Sequence, residues 1–82
     1  MVEKLNEKTY RRRKRKIFNI LVNRPHYYTE LKFYSQIDPS RLRQLLDKMS
    51  EDGFLEEKLG EKKRKYFYLT DKGKKEAKHD GD

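Results

Sequence analysis

Asp38-Pro39-Ser40-Arg41-Leu42-Arg43-Gln44-Leu45-Leu46-Asp47-Lys48-Met49-Ser50-Glu51-Asp52-Gly53 carries its own start and stop signals. Asp38 suits an N-cap, because its carboxylate can accept an unsatisfied backbone N–H of the first turn. Pro39 suits the first helical position, where no N–H is needed. Leu42, Leu45, Leu46 and Met49 recur at i, i+3, i+4 and i+7, one buried stripe on a helix of about 14 residues. Gly53 ends the helix as a residue that can turn left-handed. Burying that stripe turns Ser40, Arg43, Gln44 and Asp47 outward, flanked by Arg41 and Lys48.

Upstream, Thr9 to Asn23 reads as a helix that Pro25 stops. Its apolar residues Ile17, Phe18, Ile20, Leu21 and Val22 span roughly 200° of the helical wheel, wider than the ~100° stripe of a helix covered on one side. Cover on two sides is therefore expected, from the chain's own core and from a second surface. His26-Tyr27-Tyr28 is a short extended piece. Thr29 follows as an N-cap, and Glu30 adds negative charge at a helix N-terminus. Leu31 and Tyr34, spaced i, i+3, predict a short helix, with Gln36-Ile37 as the turn after it. Downstream, Phe54–Leu59 and Lys65–Leu69 read as two strands joined by Gly60-Glu61-Lys62-Lys63-Arg64. Phe67 and Leu69 share one face of the second strand, Tyr66 and Tyr68 the other. A two-stranded hairpin needs a helix packed on it. Thr70-Asp71 caps a last short helix to about Lys78, where Gly73 is out of place unless a strand packs close.

The chain has 82 residues, which supports one small domain, placed at residues 9–78 with flexible ends at 1–8 and 79–82. Absence of cysteine excludes disulfides, thiolate zinc sites and thiol catalysis. Charged residues make up 44% of the chain and the net charge is +8, which points to a polyanion: nucleic acid first, an anionic membrane surface second. The excess is concentrated in residues 1–24, with nine basic against two acidic residues, dominated by Arg11-Arg12-Arg13-Lys14-Arg15-Lys16. A second run is Lys62-Lys63-Arg64-Lys65. One such run is as often a solvated face as a binding surface; two runs flanking a patterned middle favour binding.

The longest uncharged stretch, Ile17 to Asn23, is too short to span a membrane, and no secretory leader is visible. A cytoplasmic protein is expected. His26 and His79 lack the spacing of metal ligands. There is no Gly-rich phosphate loop and no credible Ser/His/Asp frame. No enzymatic activity, cofactor, metal or small-molecule ligand is predicted. Tyr10, Tyr27, Tyr28, Tyr34, Tyr66 and Tyr68 invite a base-stacking reading, but completing a small core or an interface is the better one.

The order of elements resembles a winged helix-turn-helix domain: an α+β fold with a three-helix core, a two-stranded β wing and a short C-terminal helix. Thr29-Glu30-Leu31, Ile37 and Asp38-Pro39-Ser40 resemble its helix-turn-helix opening. Asp52-Gly53-Phe54-Leu55 resembles the step into the first wing strand, and Leu69-Thr70-Asp71-Lys72-Gly73 the step out of the second. The pattern is similar to that of small MarR-, PadR- or ArsR-like transcription regulators. Three positions depart from it. Gln36 stands where the turn usually has Gly, Lys32 where a small residue is usual, and Ser35 where Leu is frequent. A slightly different turn and an irregular second helix are expected from them.

The resemblance implies a regulator that binds double-stranded DNA sequence-specifically, with the Leu42–Met49 helix in the major groove. Gln44 can pair with adenine, and Arg41 or Arg43 with guanine. Ser40 is better placed for a phosphate. Asp47 is expected to pair with an arginine of its own helix, and Lys48 completes the DNA-facing set. Lys62, Lys63 and Arg64 of the wing would neutralise phosphates, with Arg64 suited to a narrow minor groove. A subset of the first basic run, Arg11, Arg12 and Arg13, would add backbone contacts. The wide stripe on the first helix implies a homodimer through Ile17, Phe18, Ile20 and Val22. The alternatives are a nonspecific architectural DNA binder, or a protein-interaction module with an acidic partner.

Overall fold

The computed structural model describes residues 7–80, with side chains described for residues 7–78. The elements are α1 (Glu7–Leu21), β1 (His26–Tyr27), α2 (Tyr28–Ser35), α3 (Pro39–Glu51), β2 (Leu55–Leu59), β3 (Lys65–Leu69) and α4 (Asp71–Asp80). This is the winged helix-turn-helix arrangement. Glu7 and Lys8, expected in a flexible end, form the first turn of α1, and α4 reaches Asp80. The rest of both expected ends lies outside the described residues.

The signals around α3 act as their chemistry dictates. The Asp38 carboxylate accepts the Ser40 N–H at 3.2 Å, and Pro39 opens the first turn. At the other end Gly53 takes φ +84°, its N–H reaches the Ser50 carbonyl at 3.0 Å, and the Phe54 N–H reaches that of Met49 at 2.9 Å. These paired bonds satisfy carbonyls that the helix end would otherwise orphan.

Two expectations at α2 are corrected. Tyr28 is helical rather than extended, and the N-cap is Tyr27 rather than Thr29. The first-turn Glu30 carboxylate decides this: it reaches back to accept the Tyr27 N–H at 3.3 Å, which starts the helix two residues earlier than a Thr29 cap would. Nor is α2 irregular. Gln36 adopts the left-handed conformation (φ 57°) that the fold usually gives to Gly, and its N–H closes on the Lys32 carbonyl at 3.1 Å. Ser35, buried where Leu is frequent, uses its hydroxyl to accept the Ile37 N–H at 3.2 Å.

The sheet has a third strand beyond the hairpin. Its order is β1-β3-β2, with His26 opposite Phe67 and Tyr27 opposite Tyr66. Among the described residues, core residues come from every helix but the last and from both long strands. They include Ile17, Phe18, Leu31, Leu42, Leu45, Leu46, Met49, Phe54 and Phe67. The rings of Phe18 and Phe54 meet edge to face at 5.6 Å, tying α1 to the start of the wing. Gly73 sits against the Phe54 carbonyl so closely that a Cβ there would lie 2.2 Å from the oxygen. That close approach is what admits a glycine into α4.

Candidate nucleic-acid interface

Leu42, Leu45, Leu46 and Met49 are all at most 1% exposed, so the sidedness of α3 is fixed by burial. Ser40, Arg41, Arg43, Gln44, Asp47 and Lys48 are exposed. The Arg43 guanidinium lies over the Tyr28 ring at 5.2 Å. Such a contact holds a planar cation against the negative face of the aromatic system. The Tyr28 hydroxyl in turn donates to the Pro39 carbonyl at 3.2 Å, fastening the start of α2 to the start of α3.

Across from Arg43 stands the wing. The Arg64 guanidinium lies 4.6 Å from the centre of the Tyr27 ring, and Tyr27 meets Tyr66 edge to face at 5.6 Å. Arg43 and Arg64, with Lys65, Glu57, Tyr27 and Tyr28, line one open cleft of about 400 Å³. The helix and the wing thus place two guanidinium groups on the same cleft. Tyr27 and Tyr28 carry both of them, a role beyond the core or interface duty that sequence reasoning assigns to these tyrosines. Their signal is the strand–helix junction: adjacent residues on either side of it project toward different neighbours.

The other candidate residues lie elsewhere. Lys62 and Lys63 are exposed at the wing tip, in consecutive left-handed conformations (φ 55° and 58°). That conformation is unfavourable for a residue with a Cβ. Lys48 is held at the far end of α3 by Asp52 at 3.3 Å and the Tyr10 ring at 5.8 Å. Arg11 and Arg12 are exposed and Arg13 is half-buried on the first half of α1. That half meets the C-terminal end of α3, where the Tyr10 hydroxyl donates to Asp52 at 2.7 Å. From Arg43 to Asp52 the helix rises by about 13 Å, so these arginines stand apart from the cleft.

Within the basic run, Lys14 is buried. Its ammonium pairs with Glu76 at 3.5 Å and lies 5.0 Å from the Tyr10 ring and 5.1 Å from that of Phe54. The expected dimer surface is also reduced. Ile17 and Phe18, at 0% and 1% exposure, are taken up by the chain's own core. Ile20 packs partly against that core and Val22 remains 59% exposed. Val22 rims a groove of about 610 Å³ that Leu21, Tyr68, Leu69 and Ala77 also line.

The junction at the end of α3 is electrostatically set. Hydrogen bonds from Tyr10 and then Lys48 hold the Asp52 carboxyl below its ordinary value, and burial followed by the Asp52 bond pushes the Tyr10 phenol up. At the start of α2, the Arg24 hydrogen bond at 3.0 Å and that of the Tyr27 N–H lower Glu30. No group of acidic or histidine side chains able to hold a metal ion occurs among the described residues. Among them, no helix is long and apolar enough to cross a membrane.

The chain matches no family model and no curated protein. Solved structures share its fold. A MarR-family transcriptional regulator from Silicibacter pomeroyi superposes with a TM-score of 0.75 at 20% identity, over 84% of this chain and 48% of its own. ZitR from Lactococcus lactis, a doubly substituted variant in the apo form, gives a TM-score of 0.79 at 16% identity, over 90% of this chain and 58% of its own. A transcriptional regulator from Clostridium thermocellum gives 0.72 at 19% identity, over 90% and 82%. The chain thus spans about half the length of the MarR-family regulator.

Proposed function

We propose that this chain is a transcription regulator that binds double-stranded DNA sequence-specifically. The polar face of α3 enters the major groove, with Gln44 at its centre and Ser40 and Arg41 beside it. The wing residues Lys62, Lys63 and Arg64 neutralise phosphates alongside, and Arg11, Arg12 and Arg13 add sequence-independent contacts from α1. The observation that carries the reading is the joint placement of the exposed α3 arginine and the wing arginine on one cleft. The net charge of +8 supplies the attraction. The transcriptional regulators that share the fold support the same reading.

A homodimer goes with it. Ile20 and Val22 would carry the contact, with Ile17 and Phe18 behind them in the core. Two copies of α3 would then address half-sites about 34 Å apart. Lys48, bound to Asp52, contributes less than its sequence position suggests.

The test is duplex affinity against salt. A chain making ~6–10 phosphate contacts should lose about 10³–10⁵ in affinity between ~50 and ~200 mM salt. Lys63→Ala should weaken all sequences alike. Weak, salt-insensitive binding to duplex, together with tight binding to an acidic protein, would replace this reading with that of an interaction module.

A further inference from the structure

Arg43 and Arg64 reach the cleft from different elements, and each is backed by a tyrosine from the β1–α2 junction. Tyr27 ends β1 and lies under Arg64; Tyr28 begins α2 and lies under Arg43. Neither ring is loose. Tyr66 braces Tyr27 from the neighbouring strand, and the Tyr28 hydroxyl is bonded to the backbone at the start of α3. An arginine side chain otherwise carries much rotamer entropy, and a fixed aromatic face removes part of that cost before any ligand arrives.

We propose that Tyr27 and Tyr28 are positioning residues that hold Arg64 and Arg43 as a preset guanidinium pair, which clamps one stretch of phosphate backbone between the recognition helix and the wing. The inference rests on the DNA-binding reading and deepens it, by assigning Arg43 to the backbone rather than to a base. It also turns Arg64 toward the cleft, away from the minor groove, and leaves the wing tip to Lys62 and Lys63. The cleft chemistry suits a phosphodiester. Two planar forks and Lys65 face it against one carboxylate, Glu57, and guanidinium groups match phosphate oxygens bidentately.

The experiment is a pair of double-mutant cycles on duplex affinity, Tyr27→Leu with Arg64→Ala and Tyr28→Leu with Arg43→Ala, each variant checked by thermal unfolding. Each arginine variant should weaken every duplex alike and lower the salt slope by about 1. Each tyrosine variant should cost about three- to tenfold when its arginine is present and nothing further when it is absent. Tyr27→Phe keeps the ring and its contact with Tyr66 and should stay near wild type. Tyr28→Phe keeps the ring but loses the bond to the Pro39 carbonyl, and should fall between wild type and Tyr28→Leu. If a leucine variant fails to fold, Arg64→Lys and Arg43→Lys serve instead. They keep the charge and lose the planar stack, and should lose as much as the tyrosine substitution. The inference is overturned if the tyrosine effects persist unchanged without the arginines, if the lysine variants bind as wild type, or if Arg43→Ala loses preference at a single base pair. If the wild type shows no salt-steep duplex binding, the DNA reading itself falls, a distinguishable result.

Discussion

Single residues carry much of the local geometry. Gly73 has the Phe54 carbonyl where a Cβ would be, and its N–H is taken by the Thr70 hydroxyl at 3.0 Å. Gly73→Ala should therefore destabilise by about 1–3 kcal/mol, read as a lower urea midpoint at unchanged slope. Gln36 is the opposite case, a side chain at φ 57° where glycine is at ease. Gln36→Gly should stabilise by up to about 1 kcal/mol in the same assay, and a loss would mean the left-handed turn is not strained. Both positions are legible in outline. The sequence marks Gly73 as needing a close neighbour and Gln36 as a departure, but the identity of the neighbour and the sign of φ depend on how the chain packs. Asp52 and Glu30 set the acid limit. Their carboxyls are lowered by Tyr10 and Arg24 respectively. Stability from them is fully present above the ordinary carboxylate pKa of about 4 and is lost as pH falls through the lower folded values. The thermal midpoint should fall on acidification through that window, and less so in Asp52→Asn.

At the scale of elements, periodicity tells the most where one face is buried and the other is not. The α3 stripe, its cap and its terminating glycine are all readable, because each is a local rule. The start of α2 is not, because Glu30 reaching back to Tyr27 outweighs the capping preference of Thr29. The basic run of α1 is misleading as a uniform surface. Six consecutive basic residues must cover every face of a helix, so one of them, Lys14, lies buried among rings beside Glu76. Lys14→Met, which keeps the packing stem, should leave stability within about 1 kcal/mol of wild type and the salt slope of DNA binding unchanged. A slope reduced as in Lys63→Ala would put Lys14 at the DNA. The same one-sided accounting explains Ile17 and Phe18. A wide apolar arc on α1 reads as surplus surface only until α2, α3 and the wing claim most of it.

At the scale of the whole molecule, the fold brings a helix face, a wing and a strand–helix junction to one side, and no single segment of sequence announces that the junction supports the other two. In a regulator that reads DNA through α3, the base-facing role falls on the centre of that helix. On the proposed reading, the salt-dependent affinity falls on the arginine cleft and the wing tip, with Arg11, Arg12 and Arg13 of α1 adding to it. The two roles separate in one measurement: selection of bound duplexes from a random pool, run in parallel for the wild type and Gln44→Ala. The expected result is a near-palindromic motif with half-sites about one helical turn apart, in which Gln44→Ala loses about 1–3 kcal/mol of preference at one position of each half-site. A wild-type pool that binds with steep salt dependence yet shows no enriched motif, or a motif that Gln44→Ala leaves intact, would contradict base reading by α3.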